Sequence, residues 1–230
     1  MRASYNGMAP GSKKGAGHDA QDAHWNEIEE MLRTQIRNRD IHDPALEAAF
    51  HRFPRHWFVP ASLQHRACDD GPLPIGEGQT ISQPYIVALM THLLRLTGDE
   101  KVLEIGTGCG YQSVMLAALC SEVHSVEVVP ELYEGTKKRL AEFSDPAIKR
   151  IHLYLRNGRD GVPEAAPFDR ILCAATADTV PEAWKSQLRT GGWMVLPLGQ
   201  EAADLVVITK HSETEFTKRV VIPVRFVPLV

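Results

Sequence analysis

The run Val102-Leu103-Glu104-Ile105-Gly106-Thr107-Gly108-Cys109-Gly110-Tyr111, with Glu127 closing the next apolar run, constrains the fold of this chain more than any other feature. It reads as a buried strand (101–105), a glycine turn and a helix (111–119), followed by a second strand that ends on an acid. Glycine at Gly106 and Gly108 lets a ligand lie against the turn, where a Cβ would hold it off. An acid about 20 residues on, at the C-terminal end of the next strand, can accept both hydroxyls of a ribose. Glu127 is that acid, so the pattern predicts a nucleoside-cofactor site. The dinucleotide fingerprint wants a third glycine where this chain has Tyr111, which disfavours a nicotinamide cofactor.

The rest of the chain carries further elements and no internal repeat. Residues 1–21 are rich in Gly, Ser, Lys and Ala, too polar to offset the entropy of ordering, and are expected to form a disordered tail. Trp25, Ile28, Met31, Leu32 and Ile36 follow helical spacing over 24–39, and Asp43-Pro44 supplies a cap and first-turn proline for a second helix to about His51. Prolines and glycines scattered through 52–79 predict a long irregular segment, and such loops are usually functional. Helices are expected over 84–94, 130–143 and 180–189, and strands over 151–155, 169–173 and 193–198. Strands separated by helices imply an α/β, doubly wound, mostly parallel sheet. The alternating runs 204–210 and 215–224, joined by a short turn, form a C-terminal antiparallel hairpin at its edge. One domain is expected over 22–230, with a helical and loop region (22–98) on the substrate side of a cofactor-binding sheet (99–230).

Composition narrows the function classes. With 230 residues, 43% of them hydrophobic, the chain can bury one large core. A net charge of −4 offers no footprint for a phosphate backbone, so nucleic acid is not an expected partner. Cys68, Cys109, Cys120 and Cys173 contain no C-x-x-C pair, and the ten histidines show no H-E-x-x-H spacing, so neither disulfides nor a metal are expected. No run reaches the roughly 18 apolar residues of a membrane span, and no secretory signal is visible. These features predict a cytoplasmic monomer.

The segments Pro54–Pro60 (P-R-H-W-F-V-P), Pro72–Ala88 (P-L-P-I-G-E-G-Q-T-I-S-Q-P-Y-I-V-A), Val102–Tyr111 and Arg225–Val230 (R-F-V-P-L-V) carry a resemblance over roughly residues 28–230. The chain resembles the protein-L-isoaspartate O-methyltransferases, and the second segment is not shared by methyltransferases generally. The resemblance implies a Rossmann-like methyltransferase fold and transfer of methyl from S-adenosyl-L-methionine, leaving S-adenosyl-L-homocysteine. The acceptor would be the free carboxylate of L-isoaspartyl residues, and more weakly D-aspartyl residues, in damaged proteins and peptides, and the transfer would initiate repair. Such a carboxylate is already ionised at neutral pH, so positioning and a dry site rather than a general base would drive transfer.

The same resemblance assigns Ser82 to orienting the acceptor, beside Thr80. Here Pro84 at the first helical position puts the positive end of a helix nearby, although Ser82 would also serve as a plain helix start. Gly76 and Gln79 would line the transfer site, with Ile75 and Ile81 excluding water, while Gly76 and Gly78 would equally serve only to shape the loop. Gly106, Thr107 and Gly108 would hold the methionine part, Glu127 the ribose, and Asn157-Gly158 the adenine edge. Arg225 would contact the peptide's backbone or carboxylate, although an arginine in a terminal strand more often serves as a surface residue or ion-pair partner. The chain departs from the pattern at Asn157, where relatives usually have Asp and where Asp160 is a nearby substitute, and at Ala174, where they often have Thr. Two alternatives remain at this point: a methyltransferase of the same fold acting on a small molecule, and a fold that binds the cofactor without turnover.

Overall fold

The computed structural model describes residues 18–200 and 202–229, with side chains from His24 onward. Six α-helices and nine strands follow one another in the order α1 (His18–Met31), α2 (Pro44–Arg52), β1 (Leu73–Gly76), β2 (Gln79–Ile81), α3 (Pro84–Leu94), β3 (Lys101–Ile105), α4 (Tyr111–Ala117), β4 (Glu122–Glu127), α5 (Pro130–Ala141), β5 (Ile151–Leu155), β6 (Phe168–Cys173), α6 (Glu182–Gln187), β7 (Leu188–Gly199), β8 (Ala203–Lys210) and β9 (Phe216–Val224). Seven strands make one sheet in the order β5-β4-β3-β6-β7-β8-β9. Strands β5, β4, β3, β6 and β7 are parallel, and β7, β8 and β9 pair antiparallel, as the hairpin pattern predicts.

The near-continuous apolar runs of β3 and β6 follow from burial on both faces. Val102 and Leu172 join one cluster with residues of α1 to α4. Leu103, Ile105, Ile171 and Cys173 join a second cluster with Trp184 of α6. After β5 the chain crosses to the other side of β3, so β3 and β6 flank a switch point, where open α/β sheets bind ligands outside the carboxyl ends of their strands.

Four expectations need correction. Residues 18–21 belong to α1 rather than to a disordered tail, and 1–17 lie outside the described residues. The expected helix over 24–39 is α1, then a π-helical turn (Leu32–Ile36), then a 3₁₀ turn (Arg37–Arg39) ended by Asp40 at φ 62°. The wider turn brings Leu32, Gln35 and Ile36 inward together, and the Gln35 amide donates to the Cys68 carbonyl at 2.7 Å. Trp25 lies half exposed, stacked on His51 with ring centroids 3.7 Å apart, and does not enter the core.

The 52–79 segment is not irregular throughout. It holds 3₁₀ turns at Arg55–Phe58 and Ala61–Arg66 and the antiparallel β1–β2 pair. Buried Arg55 fastens it, donating to the carbonyls of Ala67 (2.6 Å), Gly71 (3.1 Å) and Ser82 (3.0 Å). Finally, α6 ends at Gln187 and β7 begins at Leu188, before the glycine pair. Pairing steps from Phe168↔Leu188 to Arg170↔Trp193, and the intervening residues bulge. Gly191 has φ +80°, and a Cβ on Gly192 would meet the Asp169 carbonyl oxygen at 2.7 Å.

Candidate active site

A solvent-open cleft lies at the switch point, where open α/β sheets bind ligands. Its floor is the glycine turn. Gly106 and Gly108 have φ +91° and +54°, conformations that side chains disfavour, and a Cβ on Gly108 would press to 3.3 Å on Ile75 Cδ1. The turn is held from behind. The amides of Gly106 and Thr107 donate to the Val126 carbonyl (2.9 and 3.2 Å), Thr136 Oγ1 donates to the Gly108 carbonyl (2.7 Å), and Arg139 donates to the Cys109 carbonyl (3.0 Å).

Glu127 ends β4 beside this turn with only 6% of its surface exposed. Backbone amides of Gly108 (2.8 Å to Oε2), Val128 (2.9 Å to Oε1) and Val129 (3.0 Å to Oε1) donate to its carboxylate. Three amides replace the lost hydration of a buried anion while its remaining lone pairs stay available to a ligand. Among the described residues that line the cleft, Glu127 is the sole Asp, Glu, Lys or Arg. A pyrophosphate would find no cation there, whereas a ribose and a cationic sulfonium meet an acceptor and a negative charge. The donor set and the glycine cradle therefore fit S-adenosylmethionine.

Behind the turn, Glu104 is fully buried. Ser113 Oγ donates to its Oε2 at 2.5 Å, and Ser125 Oγ lies 2.6 Å from Thr107 Oγ1. Burial pushes the Glu104 carboxyl up to about 7, against the hydrogen bonds of Ser113 and Ser125.

The opposite wall comes from β2 and α3. Gln79, Thr80, Ile81 and Ser82 all line the cleft. The α3 N-cap is Gln83, with no side-chain cap bond, so Ser82 is not the helix cap. Its carbonyl is held by Arg55, while its hydroxyl has no hydrogen bond among the described residues.

Of the remaining predicted site residues, Gly106, Thr107, Gly108, Glu127 and Gly158 line the cleft. Ile75 packs beneath Gly108. Gly76 is exposed and outside the lining; with Glu77 and Gly78 it forms a run of positive φ (99°, 51° and 69°) and shapes the β1–β2 turn. Asn157 is also exposed, and its Oδ1 accepts from the Arg159 amide at 2.8 Å, so it caps the 3₁₀ turn that carries Gly158. Asp160 is exposed and likewise outside the lining. Arg225 is exposed beyond β9 and does not reach the cleft.

The terminal motif reaches the cleft through other residues. Val227, Pro228 and Leu229 line it, held by Thr176 N to Val227 O and Leu229 N to Thr176 O, both 2.8 Å. Two further lining residues have no role that the sequence alone assigns. Ala174 presents its methyl at 3.6 Å from where a Gly106 Cβ would stand. Buried Tyr111 packs on Phe58 (5.1 Å between centroids), and its hydroxyl has no hydrogen-bond partner among the described residues. A bulky residue at the third-glycine position is the signal that marks it.

Comparison with known proteins agrees. The profile of the Protein-L-isoaspartate(D-aspartate) O-methyltransferase family matches residues 26–230. The chain is 46% identical over 217 residues to the protein-L-isoaspartate O-methyltransferase of Opitutus terrae, covering 93% of this chain and 91% of that one. It is 48% identical over 199 residues to that of a Picosynechococcus species, covering 86% and 88%. Among solved structures, a Plasmodium falciparum protein of that description, in complex with S-adenosyl-L-homocysteine, shares the fold at TM-score 0.77 and 23% identity, over 90% of this chain and 98% of that one. Another protein-L-isoaspartate O-methyltransferase gives TM-score 0.76 at 24% identity, over 89% of this chain and 65% of that one. The chain belongs to the protein-L-isoaspartate(D-aspartate) O-methyltransferase family.

Proposed function

We propose that the cleft is where this family member transfers methyl from S-adenosyl-L-methionine to the free carboxylate of L-isoaspartyl residues, and more weakly of D-aspartyl residues, starting the repair of damaged proteins. The cofactor supplies an electrophilic methyl on a positively charged sulfur and leaves as S-adenosyl-L-homocysteine. Gly106, Thr107, Gly108 and Gly158 form the wall against which it lies, and Glu127 accepts from its ribose.

Ser82, with Thr80, orients the acceptor carboxylate by hydrogen bonding, and Gln79 and Ile81 border it. Neutral donors suit this reaction, because a fixed cation on the carboxylate would stabilise its charge before transfer and blunt its attack. No proton has to be removed, because the acceptor is ionised at neutral pH. The observation that carries this reading is the unengaged Ser82 hydroxyl in the lining that also holds the glycine turn and Glu127. Residues 22–98 furnish the acceptor side through β2 and α3, and 99–230 furnish the cofactor side.

We further infer a cytoplasmic monomer that does not act on nucleic acid. Among the described residues, Trp25, Val128, Leu155 and Val220 are the exposed large apolar side chains, and all four cysteines are unpaired. Net charge is −4, and no helix of the described residues is long and apolar enough to cross a membrane.

The test is transfer of labelled methyl to two peptides that differ only in an isoaspartyl or a normal aspartyl linkage, with Ser82→Ala alongside. Labelling of the isoaspartyl peptide alone, reduced in the variant while cofactor binding is kept, is the expected result. Cofactor binding without transfer to either peptide would refute the assignment.

A further inference from the structure

At the end of the sheet away from the cleft, three side chains with ligand atoms converge. Glu122 opens β4 and His124 lies two residues on, so both project from the same face of the strand. His152 of β5 is the register partner of His124 across the parallel pair. Their rings stack with centroids 4.9 Å apart. Glu122 Oε1 lies 3.1 Å from Nε2 of His124 and 3.1 Å from Nε2 of His152, and all three ligand atoms fall within 4.8 Å of one another. Zinc at its usual ligand distances sets tetrahedral donors about 3.4 Å apart, close to the two Glu122–histidine separations.

The decisive atom is His124 Nε2. The residue is only 4% exposed, and Nε2 has no hydrogen-bond partner. Its approach to Glu122 is close but misaligned for a hydrogen bond. Nδ1 is engaged by the Tyr154 hydroxyl at 2.9 Å. When Nδ1 carries the proton and Tyr154 accepts it, Nε2 holds a bare lone pair facing a carboxylate oxygen. Such a contact is repulsive until a cation stands between the two, and a hydrogen bond to the other ring nitrogen is how ligating histidines are commonly oriented.

We propose that Glu122, His124 and His152 bind a borderline divalent transition-metal ion, with Zn²⁺ as the expected occupant, in a site that clips edge strand β5 to β4. Two imidazoles and a carboxylate suit zinc, copper or nickel better than calcium or magnesium, which prefer all-oxygen sets. Lys101, paired in register with Glu122, opposes the ion, but its ammonium sits over the Phe168 ring, 5.6 Å from the centroid. Glu164 is held by Arg156 in a two-point pair (2.6 and 3.0 Å) and does not join the cluster. The site is separate from the cleft: Glu122 and Glu127 stand at opposite ends of β4, about 17 Å apart at the usual strand rise.

The test uses the full chain without a histidine tag, stripped by chelator and titrated with Zn²⁺ against a chromophoric indicator. The variants are His152→Ala and Glu122→Gln, both at partly exposed positions outside the cleft. Wild type is expected to bind one ion per chain at micromolar or tighter affinity and to melt at a higher temperature when loaded. Each variant should bind at least about tenfold more weakly while keeping wild-type affinity for S-adenosylhomocysteine. Absence of binding at millimolar Zn²⁺, or binding of equal strength in wild type and both variants, would overturn the proposal.

Discussion

Replacing Glu127 by Gln separates the two roles that its position allows. The carboxylate takes amides from Gly108 on one oxygen and from Val128 and Val129 on the other. A glutamine does best by keeping its carbonyl oxygen on the two-donor side and turning its NH₂ toward the Gly108 amide, which loses one charge-assisted bond and opposes two donors. That loss is worth roughly 1.5–3 kcal/mol of stability, or a melting temperature lower by about 3–12 °C in a chain of this size. If Glu127 also holds the ribose, one of two bonds to the hydroxyls goes as well, weakening S-adenosylhomocysteine binding by about 10–100-fold. Calorimetric titration of S-adenosylhomocysteine and of an analogue lacking both ribose hydroxyls, on wild type and variant, closes a double-mutant cycle. The hydroxyls should matter in wild type and contribute much less in the variant. A lower melting temperature with affinity within twofold of wild type would reduce Glu127 to a staple for the glycine turn and refute the ribose assignment.

Two further outcomes follow from the core. Glu104 has a folded-state pKa raised from 4.5 to about 7 by burial, so the native protein holds a proton that the unfolded chain has released. Its contribution to stability is whole below about pH 4.5 and is lost as pH rises through about 7, on the order of 3 kcal/mol; Glu104→Gln should flatten denaturant-measured stability between those limits, and an unchanged pH profile would refute the buried-acid reading. In Gly158→Ala the new Cβ would stand 2.6 Å from Ile105 Cγ2, a clash within a strand-end core. Overpacking of about 1–3 kcal/mol should appear as a lower melting temperature together with weaker S-adenosylhomocysteine binding, and calorimetry showing neither would mean that the turn shifts freely.

Much of the sheet is legible in the sequence because its signals are local. Strands β3, β4, β6, β8 and β9 carry their own apolar patterns, and Gly106, Gly108 and Glu127 sit at fixed spacing around one turn. What spacing does not show is closure between distant segments. The β1–β2 pair is only four and three residues long and contains Pro74, so no period can establish itself. Arg55 reads as one more surface cation until Ala67, Gly71 and Ser82 surround it with carbonyls. In the terminal motif the charge of Arg225 is the conspicuous feature, whereas the Thr176 bridge turns Val227–Leu229 into the cleft. A search for helical spacing among the histidines likewise misses His124 and His152, which only the β4–β5 register makes neighbours.

The charge distribution of the cleft follows from the reaction it serves. In the ground state a sulfonium and a carboxylate approach each other, and both charges diminish as the methyl moves, so water that solvates either one opposes transfer. A strong cation near the acceptor would do the same. The described lining supplies no such cation: beyond Glu127 it is apolar side chains, hydroxyls, amides and glycine backbone. Three amides fix both oxygens of Glu127 at the end of β4, and the proposed ribose contact would hold it on the cofactor side. The acceptor side must then be oriented by neutral groups carried on a different element. Arg55 commits its guanidinium to backbone carbonyls, that of Ser82 among them, and stays outside the lining to which Ser82 belongs.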